Sequence, residues 1–191
     1  MRKIVPVMAG LLAGILTVST AQAMQDISIF NYPPADPNAQ TEPESSPIPR
    51  ELVDYDGDYS PGTIVVNTEE RRLYFVLPDH QAVKYAVGVG RPGFEWTGVH
   101  HIAAKREWPD WTPPAEMLKR RPDLPLHMAG GIDNPLGARA LYVSGTLYRI
   151  HGSNEPDTIG QAVSSGCIRM TNDDVIDLYS RAKVGAEVVV E

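Results

Sequence analysis

The feature that most restricts the fold of this chain is a series of short apolar runs that begins just after residue 61. The runs are rich in β-branched and aromatic residues, and polar or glycine-containing segments separate them, as is typical of β-strands. The predicted strands are 63–67, 73–77, 82–89, 99–104, 140–143, 147–150 and 187–190. Short strands at this spacing predict a mainly β domain, built as an antiparallel sandwich or barrel.

Helices are few in this pattern. Thr112 is a candidate N-cap with a proline directly after it, and Pro122 would end that short helix. A second helix is predicted to begin after Thr171, where Asp174 makes a weak capping box, and to end at Gly185. We therefore expect one or two short helices beside the strands.

A long irregular segment, residues 105–139, separates the fourth and fifth predicted strands. It contains Trp108, Trp111, His127, several prolines and a Gly-Gly pair. A connection of this length inside a domain is usually functional or disordered, and the two tryptophans argue against disorder. We interpret it as a flap over a binding groove, with His127 a candidate to face that groove. The alternative is a packed cover for the edge of the sheet.

The first 23 residues have the features of a secretory signal peptide. Arg2 and Lys3 precede a mainly apolar run at 4–18, and a small-x-small cleavage site follows at 21–23. This pattern predicts export to the periplasm with removal of residues 1–23. The alternative is an uncleaved membrane anchor.

Residues 24–60 differ in composition from the rest of the chain. They are rich in proline, acidic and other polar residues, and such a segment cannot bury enough apolar surface to offset the loss of chain entropy. We predict a disordered tether that reaches the folded domain near residues 55–59, followed by a catalytic domain over 61–191.

The charge of the chain argues against nucleic acid as a ligand, and the spacing of its histidines argues against a metal. The chain carries 17 Lys and Arg against 24 Asp and Glu, a net charge of −7, and has no basic block, so nucleic acid is not an expected partner. The histidines lack the close pairs of zinc motifs, and the adjacent His100 and His101 would point to opposite faces of a strand. No metal and no organic cofactor is expected.

The chain has one cysteine, Cys167, which cannot close an internal disulfide bond and is either a small buried hydrophobe or a reactive thiol. His151 lies 16 residues upstream, at the end of a predicted strand. An imidazole can take the proton of a thiol, and the thiolate can then attack an acyl carbon. Asn154, Asp157 or the carbonyl of Gly152 could orient that imidazole. On spacing alone, a Cys–His pair is a weak signal.

The residues around the pair are more distinctive. The strings His-Gly-Ser-Asn-Glu-Pro (151–156), Ile-Gly-Gln-Ala-Val (159–163) and Ser-Ser-Gly-Cys-Ile-Arg-Met (164–170) resemble the signature of the L,D-transpeptidases, the YkuD-type catalytic domain. The resemblance extends over residues 61–191, through the segments 61–66, 87–90, 94–98, 133–137 and 148–152. It implies the β-sandwich of that family, with one or two short helices and a long flap loop.

The resemblance also implies roles for residues of the motif. Cys167 matches the nucleophile, His151 matches the general acid and base, and the carbonyl of Gly152 matches the group that orients the imidazole. The backbone N–H groups of Ser165, Gly166 and Cys167 match the donors of the oxyanion hole.

Substrate contacts are expected beside this machinery. Arg169 matches a family position near the substrate and is a candidate carboxylate clamp, since arginine pairs bidentately with carboxylates. Trp108, Trp111 and His127 of the flap are further candidates. The chain departs from many members of the family at Ser165, where they carry a histidine, and this puts a second imidazole near the oxyanion in doubt.

The implied activity is that of a periplasmic peptidoglycan L,D-transpeptidase. Cys167 would attack the carbonyl of the L-centre of diaminopimelate in a tetrapeptide stem and release D-Ala. An amine would then resolve the thioester, giving a 3–3 cross-link or attachment of an outer-membrane protein or lipoprotein. The alternatives are hydrolysis of the same acyl-enzyme by an L,D-carboxypeptidase or amidase, and a wall-binding module without activity. A carbapenem is expected to acylate the same thiol.

Overall fold

The computed structural model describes residues 46–191, so the predicted signal peptide and the tether up to residue 45 lie outside the described residues. The strands are β1 (Glu51–Asp54), β2 (Ile64–Asn67), β3 (Arg72–Leu77), β4 (Gln81–Ala86), β5 (Val89–Gly90), β6 (Gly98–Glu107), β7 (Arg139–Val143), β8 (Arg149–His151), β9 (Ala162–Ser164), β10 (Ile168–Arg169) and β11 (Glu187–Val190). The helices are α1 (Ala115–Arg120) and α2 (Asn172–Arg181), with one 3-10 turn at Pro156–Thr158. The prediction of a mainly β chain with two short helices is confirmed.

Nine of these strands form one curled sheet in the order β1-β4-β3-β2-β11-β6-β7-β8-β10, and β5 and β9 form a separate pair. The sheet is mixed, because β11 runs parallel to β2 and β10 runs parallel to β8. The pair β5–β9 is parallel as well, so the expectation of antiparallel pairing is wrong at these three places. The last strand, β11, inserts between β2 and β6 rather than joining an edge.

The curl of the sheet encloses one main core. Strand residues such as Ile64, Leu73, Tyr85 and Ile150 are fully buried, and Leu178 of α2 packs in the same cluster. Burial of such side chains is the largest favourable contribution to folding, at about 1.5–3 kcal/mol each. The β-branched runs predicted as strands owe their conformation to this core.

The two helices begin differently. At α2 the Thr171 hydroxyl accepts a hydrogen bond of 3.2 Å from the Asp174 N–H, as the capping prediction requires. Helix α1 begins at Ala115 after Pro114, with no side-chain cap, so the prediction of Thr112 as its N-cap is wrong. Two successive prolines explain the shift, because a residue that precedes proline is driven out of the helical region.

Part of the predicted tether is folded. Residues 51–54 form β1, which pairs antiparallel with β4, and the Tyr55 N–H donates to the His80 carbonyl at 2.7 Å. Tyr55 and Tyr59 pack on a small second cluster, at the place where contact with the domain was expected. The sheet therefore includes residues 51–54, which lie within the predicted tether. The strand was missed because it is an exposed edge strand without an apolar run.

The segment before β1 is held by charge. The Arg50 guanidinium lies 3.0 Å from the buried carboxylate of Asp174 on α2. The neighbouring Asp177 accepts two hydrogen bonds of 2.9 Å from Arg181 and one of 2.5 Å from the Tyr85 hydroxyl. Arg50 also lies 3.8 Å from Asp177, so its two ion pairs connect residue 50 to α2. Within residues 46–191, neither helix has the length and apolar character needed to cross a bilayer.

Candidate active site

The loop between β9 and β10 carries Cys167, and hydrogen bonds hold its shape. The Ser164 hydroxyl donates to the Cys167 carbonyl at 2.6 Å and accepts from the Gly166 N–H at 3.1 Å. The indole N–H of Trp96 donates to the Gly166 carbonyl at 2.6 Å. Cys167 itself is a free thiol and is partly exposed.

Gly166 is required by this loop. Its φ of +106° lies where residues with a side chain are strained, and a Cβ there would collide with the ring of Tyr148. That ring stacks on the indole of Trp96 at a centroid distance of 4.8 Å. The loop therefore packs against an aromatic pair at Gly166, the residue that precedes Cys167.

Strand pairing brings His151 to the same place. β8 and β10 are parallel neighbours in which Arg169 is the partner of His151, and the Met170 N–H donates to the His151 carbonyl at 2.8 Å. His151 is 4% exposed, and both it and Cys167 line one cleft. Within residues 46–191, no hydrogen bond joins the side chains of Cys167 and His151. Such bonds are often long in a free enzyme and tighten with substrate.

The imidazole of His151 has a defined tautomer. Its Nδ1 lies 2.5 Å from the carbonyl oxygen of Gly152. A carbonyl can only accept, so Nδ1 carries the proton and Nε2 keeps its lone pair. The Asn154 amide donates instead to the Asp133 carbonyl at 3.0 Å, and no hydrogen bond joins the Asp157 carboxylate to the ring within residues 46–191.

The imidazole is neutral in the free protein. Burial lowers the pKa of His151 to about 3, and the nearby cations Arg169 and Arg149 lower it further, while the hydrogen bond to Gly152 opposes them. A buried ring without a carboxylate partner disfavours the imidazolium. At neutral pH the ring is therefore a neutral base rather than an imidazolium.

The predicted oxyanion donors are not equivalent. The N–H of Gly166 already donates to the Ser164 hydroxyl at 3.1 Å. The N–H groups of Ser165 and Cys167 have no hydrogen-bond partner among the described residues. The reason is the turn itself, because Ser164 folds back over the loop and uses the middle N–H.

The cleft has a volume of about 990 Å³, within the range of substrate pockets. Trp111, Met117 and Leu124 of the segment 105–139 form part of its wall, so this segment borders the groove as the flap hypothesis requires. Whether the segment moves stays a prediction.

Two of the proposed flap contacts lie elsewhere. Trp108 does not line the cleft, and its backbone N–H donates to the Ala138 carbonyl at 2.8 Å. His127 is exposed and lies 3.6 Å from Asp110, also outside the cleft. Both were placed in the groove because sequence cannot tell which face of a loop points inward.

Arg169 lines the cleft, and its guanidinium already pairs with Glu155 at 3.0 Å. The wall residues that were not predicted include three arginines and a phenylalanine: Arg91, Arg120, Arg149 and Phe94. Arg149 lies inside the motif 148–152, and Phe94 lies inside 94–98, so attention to those segments could have found them. Arg120, in the middle of the flap, carries no such signal.

The model of the family described as L,D-transpeptidase catalytic domain (YkuD) matches residues 61–190. A probable L,D-transpeptidase of Escherichia coli, ErfK/SrfK, is 42% identical over 136 residues, which is 66% of this chain and 43% of that protein. The chain thus spans about two fifths of the length of that relative.

Two solved structures share the fold. One is named as a probable carnitine operon oxidoreductase from Brucella melitensis; it is 44% identical, with a TM-score of 0.52, and the match covers 76% of this chain and 94% of that one. The other is L,D-transpeptidase 3 from Mycobacterium tuberculosis with a faropenem-derived adduct. It has a TM-score of 0.55 at 14% identity and covers 68% of this chain and 59% of its own, which shows similarity of fold alone.

Proposed function

Because the chain belongs to the YkuD family of L,D-transpeptidase catalytic domains, we propose that it transfers acyl groups of peptidoglycan stem peptides through a thioester on Cys167. The observation that carries the proposal is the pairing of β8 with β10. It sets a partly exposed thiol and an imidazole with a free Nε2 in the wall of one cleft. That combination supplies a nucleophile and its base.

In the first half-reaction, the Cys167 sulfur attacks the carbonyl carbon of the L-centre of diaminopimelate in a tetrapeptide stem. His151 Nε2 takes the thiol proton as the C–S bond forms. The free N–H groups of Ser165 and Cys167 are the candidate donors to the developing oxyanion. When the C–N bond breaks, the imidazolium returns the proton to the nitrogen of D-Ala, which leaves behind a thioester.

In the second half-reaction, an amine attacks the thioester carbonyl. His151 takes a proton from the attacking nitrogen, the C–S bond breaks, and the proton passes to the departing sulfur. If the amine belongs to a diaminopimelate side chain, the product is a 3–3 cross-link. If it belongs to an outer-membrane protein or lipoprotein, the product is protein attached to the wall.

The lowered pKa of His151 keeps the ring neutral at pH 7, so its Nε2 lone pair is available to the thiol proton. No step needs a metal or an organic cofactor. A carbapenem or penem would acylate the same sulfur: its β-lactam ring would open and leave a thioester on Cys167.

The decisive experiment is mass spectrometry of muropeptides from sacculi incubated with the mature protein and with Cys167→Ala. We expect the wild type to release D-Ala and to form 3–3 dimers, and we expect the variant to do neither while remaining folded by circular dichroism. If tripeptide forms but dimer does not, whether or not an amine is added, the protein is a carboxypeptidase instead. Full activity in Cys167→Ala would overturn the proposed nucleophile, and no activity in either protein would favour a binding module.

Export is proposed on the pattern of residues 1–23. The positive start, apolar run and cleavage site predict a mature protein that begins at Met24 in the periplasm. The intact mass of the protein recovered from a periplasmic fraction tests it. A mass that retains residues 1–23 would contradict cleavage.

A further inference from the structure

Two arginines in the cleft wall, Arg91 and Arg120, face the same aromatic ring. The guanidinium carbon of Arg91 lies 4.2 Å from the centroid of the Phe94 ring, and that of Arg120 lies 5.4 Å from it. Arg91 follows β5, whereas Arg120 ends α1, so two separate parts of the chain bring cations to one place. All three side chains line the cleft.

Neither cation is neutralised within residues 46–191. No carboxylate lies within ion-pairing distance of Arg91 or Arg120 there. By contrast, Arg121, the next residue, makes two hydrogen bonds to Asp123 at 2.9 and 2.7 Å. A chain with a net charge of −7 has many carboxylates available, and it leaves these two guanidinium groups without one.

The acidic residues of the cleft wall do not fill this role. Glu116 is paired with Lys119 at 2.6 Å, and Glu155 is paired with Arg169 at 3.0 Å. Asp133 is the third acid of the wall, and it is not paired with either arginine. The unmatched positive charge beside Phe94 therefore faces the open cleft.

Arg91 also connects this place to the nucleophile loop. Its Nη1 donates to the Ser165 hydroxyl at 3.0 Å and to the Ser164 carbonyl at 3.3 Å. These bonds use one end of the guanidinium fork and leave the remaining N–H groups for a ligand. An anion bound there lies beside the loop that carries Cys167.

We propose that Arg91 and Arg120, held on the face of Phe94, form a carboxylate-binding subsite for a peptide substrate, separate from the candidate clamp at Arg169. The inference rests on the proposed function for the identity of the substrate as a peptide. Arginine matches the planar fork of a carboxylate, and a bound carboxylate relieves the repulsion between the two cations. The carboxylate belongs either to the acyl donor or to the acceptor amine.

The test is steady-state kinetics with a soluble stem tetrapeptide as donor and diaminopimelate as acceptor. Arg120→Gln removes one charge without touching the nucleophile loop, and Arg91→Lys keeps the charge but loses the fork. The control is Arg106→Gln, which makes the same change in charge at an exposed arginine outside the cleft. We expect each cleft variant to raise one KM by roughly 10-fold, because a charge-assisted hydrogen bond is lost. In Arg120→Gln, which leaves the nucleophile loop untouched, kcat should change far less, whereas Arg91→Lys also alters the bonds to Ser164 and Ser165 and is read by its KM alone.

The two sources of the carboxylate give different results. If the donor supplies it, the KM for the tetrapeptide rises at saturating acceptor. If the acceptor supplies it, the KM for the tetrapeptide is unchanged, the KM for the acceptor rises, and the preference for diaminopimelate over its amide is lost.

The subsite is refuted if both KM values stay within twofold of wild type in Arg120→Gln and Arg91→Lys, or if Arg106→Gln has the same effect as Arg120→Gln. Either result leaves the proposed function intact as long as Cys167→Ala is inactive. Activity in Cys167→Ala would count against the proposed function instead.

Discussion

The Nδ1 atom of His151 lies 2.5 Å from the carbonyl oxygen of Gly152, the next residue in the chain. The group that orients the ring is thus part of the backbone, and no side-chain substitution can delete it. Gly152 is itself confined, because a Cβ at this position would collide with the Asn172 side chain, whose amide oxygen accepts the Ala138 N–H at 2.9 Å. The tautomer of the base is fixed by the fold of β8 and α2 together.

This arrangement predicts the pH dependence of the reaction. With the pKa of His151 lowered to about 3, mainly by burial, the neutral base predominates at any higher pH and is lost only as the pH falls through that value. We therefore expect kcat/KM for D-Ala release to show no acidic limb near pH 6–7. Measurement between pH 5 and 8 checks this. A limb centred at the ordinary pKa of about 6.5 would contradict it.

Gly166→Ala is expected to damage activity more than stability. Its positive φ costs a residue with a side chain about 1–3 kcal/mol, and relief of the collision with Tyr148 must shift the loop that carries Cys167. A shift of about 1 Å can reduce kcat/KM by roughly 100-fold. The control is Gly145→Ala, which has φ of +69° but nothing within 4 Å of the added atom. Equal losses of activity in both variants would show that backbone strain alone matters.

Arg50→Ala should destabilise the domain although Arg50 lies well outside the family match. Its removal leaves Asp174, which is fully buried, without the cation 3.0 Å away. Loss of one partner of a buried pair costs about 3 kcal/mol, to be measured by urea unfolding. Lys119→Gln breaks an exposed pair with Glu116 and should cost no more than about 0.5 kcal/mol. Similar costs for the two variants would count against a structural role for residue 50.

Stability should also depend on pH through Asp177. Burial alone would raise the pKa of this carboxyl, but hydrogen bonds from Arg181 and Tyr85 bring it below its ordinary value. The folded protein then gains stability at pH above the unfolded value of about 3.9 and loses it as the pH falls through the lowered one. Asp177→Asn should therefore lower Tm at pH 7, and its deficit should shrink toward pH 3. A deficit that is constant with pH would contradict the linkage.

The elements that could be predicted from sequence are those whose signal is local. The strands β2 and β3 have β-branched or aromatic side chains on a buried face, and their burial is what makes the pattern. β9 and β10 are only three and two residues long, too short to show a period, and their pairing depends on distant partners. β1 is an exposed edge strand, and its composition resembles the segment before it.

The same distinction applies to the site. Cys167 and His151 could be located because the residues around them form a recognisable string. The neutral state of the imidazole could not be predicted from the sequence, because it follows from burial and from two arginines that strand pairing brings near. The Arg91–Phe94–Arg120 cluster was also beyond reach, since it joins a loop and a helix that are far apart in the chain.

β1 covers the outer edge of β4, and this has a consequence for any shortened form of the protein. A fragment that begins at residue 61, where the family match begins, would expose unpaired backbone N–H and C=O groups along β4. An exposed strand edge of this kind can pair with a strand of another molecule. In the longer chain the outermost strand is β1, which carries the acidic residues Glu51 and Asp54. Like charges on two such edges repel each other, so β1 disfavours edge-to-edge association of two molecules.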